Sequence, residues 1–289
     1  MIRCCPACQS DRQAPLFVKD GWHIRACRSC GTWFVADPPD PDQLQGIYDA
    51  WYFEGRPMRH AGGSPGAAVW RAAVRNARCR LPLIRRYAPR ARRLLDVGCG
   101  VGAFLSVARR TYSCCGVDVS PEAVVFVRDR LGVEAYEGDL RALHLPPGTF
   151  DVVTLFDVIE HVPEPGGVLA EVHRLLVPGG IAVLTTGDTD SLVCRLSGRW
   201  WHLMTPPEHL TFFSRTGLRH MATRCGMTVE HMAHRPVLAN VGYMAHKLAD
   251  VLGGPVGYLP RVVSACRLAN MDLAVNLLDV LTMVARRPS

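Results

Sequence analysis

Two carboxylates and an imidazole lie within five positions of one another in the stretch FDVIEHVPEP: Asp157, Glu160 and His161. A carboxylate beside an imidazole can move a proton, and the same groups can bind a divalent cation. If the chain turns helically after Phe156, all three side chains share one face. The stretch is therefore either a reactive site or the polar start of a surface helix, and the surrounding elements decide between them.

Two cysteine pairs near the N-terminus form a second set of residues that could do chemistry. Cys5 and Cys8 make one CxxC turn, and Cys27 and Cys30 make another, eighteen residues later. Each turn directs two thiolates at one point, so the two turns together predict a tetrahedral zinc site. All four ligands are cysteine, which is typical of a closed, structural site. Cys4 is a substitute for Cys5 at a less usual spacing. Free buried cysteines and a redox CxxC are the other interpretations.

A glycine-rich loop, LLDVGCGVGAF, stands where a buried strand ends and a helix begins. Gly98 and Gly100 allow a tight turn and the close approach of a ligand, and Gly102 allows close packing of the helix. Asp118 ends the next strand, where a carboxylate can accept hydrogen bonds from two ribose hydroxyls. Asp139 follows the third strand, where a carboxylate can take the exocyclic amine of an adenine. The loop alone fits a dinucleotide, a nucleoside or a purely structural turn.

Alternating strands and helices position these residues from about residue 91 onward. RLLDV, CCGVDV, FDVVTLF and GGIAVLTT are predicted strands, and GAFLSVARR, SPEAVVFVRDRL and GGVLAEVHRLL are predicted helices. Ser120 is expected to cap the second helix, with Pro121 at its first position. The order predicts a doubly wound, mostly parallel α/β sheet with helices on both faces. MTVEHMAHRP and LLDVLTMVARR are predicted as two last strands, separated by an apolar, helical stretch at about 238–275.

The chain divides into three parts by composition. Residues 1–36 hold the cysteine pairs around the strand-like runs PLFVK and TWFV and are predicted to form a zinc-ribbon module. The proline-rich run DPPDPDQ ends this part. Residues 37–90 are predicted to be a linker and helical cap, and residues 91–289 the α/β domain.

Composition limits the class of protein. The chain has 289 residues and a formal net charge of +7, but its densest basic cluster, RRYAPRARR, is better explained as a solvated helix end than as a nucleic-acid footprint. No apolar run is long enough to span a bilayer. The N-terminus lacks the apolar core of a signal peptide, so we expect a cytoplasmic protein with reduced cysteines.

The order LLDVGCGVG, GVDVS, EGDL, FDVVTLFDVIEHV and LLVPGGIAVLTT resembles the class I S-adenosylmethionine-dependent methyltransferases. The resemblance implies a seven-stranded Rossmann-like sheet and S-adenosylmethionine as the cofactor. It implies that the glycine loop holds the amino-acid end of the cofactor. The implied cofactor-binding set is Asp96, Gly98, Gly100, Asp118, Val119, Asp139, Leu140 and Phe156. The glycine loop by itself would also fit an NAD-dependent dehydrogenase. Such an enzyme would be expected to have GxGxxG at the start of the helix and would not contain LLVPGG.

With its cysteine ribbon, IYDAWYF and WWHLMTPPEHLTFFSRTGL, the chain further resembles a bacterial subgroup of zinc-binding-domain methyltransferases that act on small molecules. The resemblance implies a sugar, quinone or secondary-metabolite acceptor that is methylated on oxygen or carbon. We expect five aromatic residues either to roof the acceptor pocket or to pack between ribbon and core: Tyr48, Trp51, Tyr52, Trp200 and Trp201. The alternative is a nucleic-acid- or protein-directed methyltransferase or binding module that uses the ribbon for recognition.

The D-x-x-E-H pattern resembles a motif of ubiquinone-biosynthesis O-methyltransferases and of enzymes that methylate the terminal ribose of small RNAs. Both hold a divalent metal with it. The resemblance implies a Mg²⁺-like site at Asp157, Glu160, His161 and His209, although Asp157 is one methylene shorter than the usual Glu. Glu160, His161 and His209 are the candidate catalytic residues. Two other interpretations stay open, namely a histidine general base without metal, and a structural role in which Glu160 caps backbone amides.

Overall fold

The computed structural model describes residues 2–40, 43, 67–242, 245, 258–266 and 271–289. The aromatic residues Tyr48, Trp51 and Tyr52, which the sequence places in the linker, lie outside the described residues. Among the described helices, none is both long and apolar enough to cross a membrane.

A seven-stranded sheet forms the centre of the protein. Its strands are β4 (Arg93–Val97), β5 (Ser113–Asp118), β6 (Glu134–Glu137), β7 (Phe150–Phe156), β8 (Leu176–Gly187), β10 (Thr228–His234) and β13 (Val280–Arg286). They lie in the order β10-β13-β8-β7-β4-β5-β6. Strands β4 to β8 pair in parallel, and β13 and β10 are antiparallel additions at one edge. The predicted mostly parallel, seven-stranded sheet is confirmed.

Helices cover both faces of this sheet because adjacent residues of each strand point to opposite sides. Leu94 and Val152 pack with helices on one face, whereas Leu95 and Val153 pack with helices on the other. The first face is covered by α1 (Ala67–Tyr87), α2 (Ala103–Ala108) and α3 (Pro121–Leu131), and the second by α4 (Pro165–Leu175) and α6 (Arg215–Arg224). The doubly wound arrangement is therefore confirmed.

The cap of α3 also follows the sequence. Ser120 Oγ accepts a hydrogen bond from the backbone N–H of Ala123, and Pro121 opens the helix. Such a cap satisfies one of the backbone donors that a helix start leaves without a partner.

A second sheet joins the N-terminal residues to a distant part of the chain. It contains β1 (Gln13–Lys19), β2 (Trp22–Cys27), β3 (Trp33–Val35) and β9 (Thr211–Phe212) in that order, all antiparallel. The apolar runs predict β1 and β3. They do not include β2, although its sequence, WHIRAC, has the alternation of apolar and polar residues that is typical of a half-buried strand. The division at residues 36 and 90 stays a prediction, although β9 of the third part completes the sheet of the first.

The C-terminal strands β10 and β13 lie where the sequence predicts them. The stretch between them is described only in part. It contains a helix, α7 (Leu259–Ala265), but its ends form a two-stranded sheet of β11 (Val237–Asn240) and β12 (Asp272–Val275). The prediction of a helical stretch over about 238–275 is wrong at these two ends. A short helix, α5 (Leu192–Ser197), follows β8 and leads into a 3-10 turn, Gly198–Trp200.

Candidate functional site

The glycine loop joins β4 to α2 at the carboxyl edge of the sheet. Gly98 and Gly100 have φ angles of 65° and 50°, in the left-handed region that favours glycine. A Cβ atom on Gly98 would collide with the side chain of Val158. A Cβ atom on Gly102 would lie 2.9 Å from Val127 Cγ2, so its absence lets α2 approach α3 closely. The turn and the helix packing expected of these glycines are both present.

Asp118 closes this loop from the end of β5. Its carboxylate accepts hydrogen bonds from the backbone N–H groups of Gly100 (2.7 Å) and Ser120 (3.0 Å). Burial raises the pKa of this carboxyl, and the backbone donors act against that rise. Val119, the next residue, is exposed. The carboxylate that the sequence assigns to a ribose thus lies beside the glycine loop.

Asp96 lies deeper, within β4, and is almost completely buried. It accepts a hydrogen bond from Thr154 Oγ1 (2.6 Å) on the neighbouring strand. Burial raises its pKa to about 7, against the effects of Thr154 and of the positive charge of Arg80. Its contacts tie β4 to β7 beneath the loop.

Asp139 follows β6, on the far side of the loop. It accepts a hydrogen bond from the backbone N–H of Arg141 (2.8 Å) and pairs with the guanidinium of the same residue (3.1 Å). Burial acts to raise the pKa of Asp139, but the bonds and charge of Arg141 outweigh it, so that the pKa lies below its usual value. Leu140 is buried beside it.

The segment after β7 does not turn helically, so the expected shared face is absent. Asp157 adopts a left-handed conformation (φ 59°), and a tight turn follows in which the His161 N–H donates to the carbonyl of Val158 (2.9 Å). The Asp157 carboxylate is half exposed, pairs with Arg80 (3.2 Å) and accepts from Thr185 Oγ1 (2.7 Å). Asp157 therefore bonds to Arg80 and Thr185 and is not part of the group that its two motif partners form.

Glu160, His161 and His209 do come together. One ligand atom of each side chain lies within 4.8 Å of the others, and the two imidazole centroids are 4.6 Å apart. The backbone joins them as well, because the Glu160 carbonyl accepts from the N–H groups of Leu210 (2.8 Å) and Thr211 (3.1 Å). The link between the residues after β7 and the segment before β9 was predicted only through the family resemblance.

The environment of these three residues sets their protonation. Glu160 is buried, and its Oε2 finds no hydrogen-bond partner among the residues that the structure describes. Burial, and then the negative charge of Asp157, raise the pKa of Glu160 to about 8. Burial also lowers the pKa of His161. The group is thus biased toward a neutral carboxyl beside a neutral imidazole.

Backbone carbonyls fix the tautomers of both histidines. Nδ1 of His161 lies 2.8 Å from the Glu208 carbonyl, and Nδ1 of His209 lies 2.8 Å from the Leu203 carbonyl. A carbonyl only accepts, so each Nδ1 donates, and the lone pair of each neutral ring belongs to Nε2. Such nitrogens can take a proton or bind a metal.

Arg80 was not predicted as a site residue. From α1 its guanidinium lies over the ring of Phe156, 4.0 Å from the centroid, and pairs with Asp157. Phe156 in turn contacts Phe104 of α2 (4.9 Å between centroids), next to the glycine loop. The chain has many arginines, and no local pattern in the sequence distinguishes this one.

The two tryptophans expected in the acceptor pocket have different environments. Trp201 is buried, and its indole N–H donates to Asp279 (2.9 Å), in a core shared with the small sheet. Trp200 is 58% exposed. Trp201 thus follows the packing alternative, and Trp200 remains a candidate for ligand contact.

The four cysteines of the two CxxC turns form one cluster, with each sulfur within 4.8 Å of the others. Sγ atoms of Cys5 and Cys30 are 3.7 Å apart, and those of Cys8 and Cys27 are 3.5 Å apart. The hydrogen bond from Cys5 lowers the pKa of Cys30 to about 5, so one thiolate is already favoured. Four sulfurs at these distances fit the tetrahedral ligand set of a structural zinc ion. Cys4 is not part of the cluster.

Comparison with known protein families shows which class of protein this fold belongs to. Residues 70–232 match the family model described as a methyltransferase domain. The chain therefore belongs to the methyltransferase-domain family, and its fold is that of the class I S-adenosylmethionine-dependent methyltransferases.

Two relatives are ubiquinone biosynthesis O-methyltransferases. The enzyme of Psychrobacter cryohalolentis is 36% identical over 104 residues, which are 33% of this chain and 40% of that protein. The enzyme of Aeromonas salmonicida is 30% identical over 164 residues, 52% of this chain and 69% of that protein. The chain thus spans less than half the length of the first relative, and the cysteine cluster falls outside the 70–232 match.

Solved structures are similar in fold at low identity. A chain in the complex between the Haloferax volcanii Trm112 methyltransferase activator and a putative methyltransferase has a TM-score of 0.56 and 19% identity, covering 85% of this chain and 98% of its own. A putative methyltransferase from Bacillus halodurans has a TM-score of 0.53 and 15% identity, covering 72% and 98%.

Proposed function

We propose that the protein transfers the methyl group of S-adenosylmethionine to a hydroxyl oxygen of a small-molecule acceptor. The observation that carries the proposal is the group of Glu160, His161 and His209 at the carboxyl end of β7, beside the glycine loop. Ligands of open α/β sheets bind at this edge. The O-methyltransferase names of the relatives support an oxygen acceptor.

Cofactor binding would use the loop and the two acids that follow it. Gly98 and Gly100 leave room for the methionine end, Asp118 would hold the ribose, and Asp139 with Leu140 would border the adenine. Arg80 is the residue suited to the cofactor carboxylate, because its guanidinium lies over Phe156, whose ring contacts Phe104 next to the loop. When bound, the cofactor supplies a sulfonium methyl group.

The role of the chain in the reaction is alignment and removal of a proton. His161 is kept neutral by burial and carries its lone pair on Nε2, so it can accept the proton of the acceptor hydroxyl. His209 lies against it and would orient the hydroxyl. Glu160 is neutral at rest, but a positive charge on the adjacent imidazole would favour its ionisation, and the resulting carboxylate would stabilise the charged ring.

A divalent cation at the same three residues is the second candidate. The donor set suits it in number, but Asp157 is engaged with Arg80 and Thr185, which leaves one carboxylate and two imidazoles. Mg²⁺ prefers oxygen ligands, whereas this set suits a first-row transition metal. The predicted structural zinc at Cys5, Cys8, Cys27 and Cys30 is a separate proposal.

Calorimetry with S-adenosylhomocysteine tests the cofactor half of the proposal. Asp118→Ala should weaken binding by about 1.5–3 kcal/mol because charge-assisted hydrogen bonds to the ribose are lost. Asp129→Asn, an exposed acid on α3, is the matched control and should bind like the parent. A parent protein that binds NADH tightly and S-adenosylhomocysteine not at all would overturn the assignment.

Transfer of labelled methyl from S-adenosylmethionine to a panel of hydroxylated acceptors tests the catalytic half. His161→Ala and His209→Ala should lose transfer by about 100-fold or more while keeping their affinity for S-adenosylhomocysteine. Full activity in both variants contradicts the catalytic role. If a chelator abolishes transfer in the parent and an added divalent cation restores it, the metal replaces the general base.

A further inference from the structure

A pocket of about 340 Å³ lies between the β1–β2 turn and the segment 199–208. Lys19 and Asp20 of the turn border it on one side, and Trp200, Thr205 and Glu208 border it on the other. Its volume is in the range of small-molecule sites. None of the residues expected from sequence to bind the cofactor lines it.

The pocket shares one wall with the catalytic group. Its lining residue Glu208 supplies the carbonyl that accepts from His161 Nδ1, and Thr205 supplies the carbonyl that accepts from the His209 N–H (3.1 Å). A ligand in the pocket is therefore separated from the two histidines by one segment of chain. The pocket therefore adjoins the segment whose carbonyls hold both histidines in place.

Charges of both signs line the pocket. The Lys19 Nζ and the Arg199 Cζ lie 5.2 Å and 4.9 Å from the centre of the Trp200 ring. Asp20 pairs with Lys19 at 3.3 Å, and Glu208 adds a second carboxylate. An apolar chain would remove these charged groups from water without replacing their hydrogen bonds. A polyanion would meet the two carboxylates. The lining also contains the apolar residues Trp201, Met204 and Pro206, so a ligand with both polar groups and apolar faces matches it best.

Hydroxyl groups match it better, because each can donate to a carboxylate and accept from a cation. Thr205 lines the pocket, and its buried Oγ1 finds no hydrogen-bond partner among the described residues. The exposed part of the Trp200 ring offers an apolar surface for the C–H groups of a saturated ring.

We propose that this pocket binds a carbohydrate ring of the acceptor, held by Lys19, Thr205 and Glu208 and packed beside Trp200. The inference deepens the proposed methyl transfer and rests on it, since it names the class of substrate. A prenylated quinone fits the pocket less well, because its apolar chain would cover the charged groups of Lys19, Asp20, Arg199 and Glu208.

The lysine content of the chain allows a specific binding assay. Lys19 and Lys247 are the only lysines in the sequence. In a Lys247→Arg protein, reductive ¹³C-methylation labels Lys19 and the N-terminal amine and keeps their charge. We expect the Lys19 resonance to shift on titration with methyl glycosides or cellobiose. Inorganic pyrophosphate and a short-chain ubiquinone analogue should leave it in place.

Variants in the same background test the contacts. Glu208→Gln and Trp200→Ala should each weaken the glycoside-induced shift by about tenfold, a loss of about 1.4 kcal/mol. Leu196→Ala changes a residue that is 87% exposed and outside the lining, and it should titrate like the parent. If Trp200→Ala fails to fold, the Glu208→Gln result decides alone.

Each result of the titration has one meaning. A shift with pyrophosphate only, or with the quinone analogue only, overturns the carbohydrate site. No shift with any glycoside, in a protein that binds S-adenosylhomocysteine, overturns the carbohydrate site and leaves the methyltransferase proposal standing. A glycoside shift in a protein that does not bind S-adenosylhomocysteine overturns the proposed function and leaves the carbohydrate site.

Discussion

The two sides of the proposed site are built in different ways. The cofactor side, from the glycine loop to Leu140, comes from one continuous segment in which each strand delivers a residue to the same sheet edge. The acceptor side combines Glu160 and His161 with His209 and with the β1–β2 turn. The first side depends on its own sheet, whereas the second depends on pairing between distant segments.

That pairing runs through a few hydrogen bonds around β9. The strand pairs with β3, and the Ser214 hydroxyl donates to the Cys30 carbonyl of the second cysteine turn. His209 lies two residues before β9. The cysteine cluster is thus connected to the acceptor side through a short path, and the cofactor side has no strand in the same sheet.

Removal of zinc should therefore destabilise the acceptor side and leave the cofactor side folded. Of the changes considered, we expect this one to have the largest effect on stability. Binding of a structural zinc contributes on the order of 10 kcal/mol to folding. We expect Cys27→Ser to lose about one equivalent of zinc, and to lose hydrogen-exchange protection in β2, β3 and β9. The strands β4 and β5 should stay protected, and S-adenosylhomocysteine should still bind.

Cys79→Ser is the matched control, since Cys79 is exposed and outside the cluster. It should keep its zinc and its exchange pattern. Equal protection of β9 in the zinc-bound parent and the zinc-free variant would contradict the connection, and so would loss of protection in β4 and β5 at the same rate.

Replacement of Glu160 should give the second largest effect, which is a change in how stability depends on pH. The pKa of Glu160 is raised from 4.5 to about 8, chiefly by burial, so the folded protein holds this proton more tightly than the unfolded chain. The resulting stability is fully present below about pH 4.5 and is lost as the pH rises through about 8. Glu160→Gln cannot ionise. In chelator-treated buffer its stability relative to the parent should rise by a few kcal/mol between about pH 5 and pH 9.

Urea unfolding at the two pH values measures this difference. Glu137→Gln, an exposed glutamate on β6, serves as the control and should show the same difference from the parent at both. A Glu160→Gln protein whose stability relative to the parent does not change with pH would mean that the Glu160 carboxyl is not held in its neutral form.

Replacement of Arg80 should give the smallest effect, and it tests whether Arg80 belongs to the cofactor side. If its guanidinium binds the cofactor carboxylate, Arg80→Ala should weaken S-adenosylhomocysteine about tenfold, or about 1.4 kcal/mol. 5′-Methylthioadenosine lacks that carboxylate and should bind the variant and the parent alike. Arg78→Ala, an exposed arginine of the same helix, is the control. Equal losses for both ligands would assign Arg80 a role in packing against Phe156.

The sequence predicts the backbone of the cofactor side well because the patterns that determine it are local. Gly98 and Gly100 need left-handed backbone, Asp118 ends an apolar run, and Ser120 caps the next helix; each of these is a short-range pattern with one physical cause. The order of such units then determines a parallel sheet.

The acceptor side is less predictable because it forms from contacts between residues that are far apart in the sequence. Nothing near Trp33 indicates that it pairs with Phe212, and a helical turn after Phe156 was expected where Asp157 instead takes a left-handed conformation. With this backbone the Asp157 carboxylate pairs with Arg80 and stays outside the group of Glu160, His161 and His209. Residue types in a motif therefore predicted the neighbours of His161 only in part.

The pairing of β3 with β9 also has a consequence for synthesis on the ribosome. All four cysteines of the cluster leave the exit tunnel early, whereas β9 is translated about 180 residues after β3. At about 5–20 residues per second, the edge of β3 waits on the order of 10–35 s for its partner strand. An exposed strand edge is a template for wrong pairing. A metal ion bound by the four cysteines of the nascent chain would hold β2 and β3 in register until β9 has been synthesised.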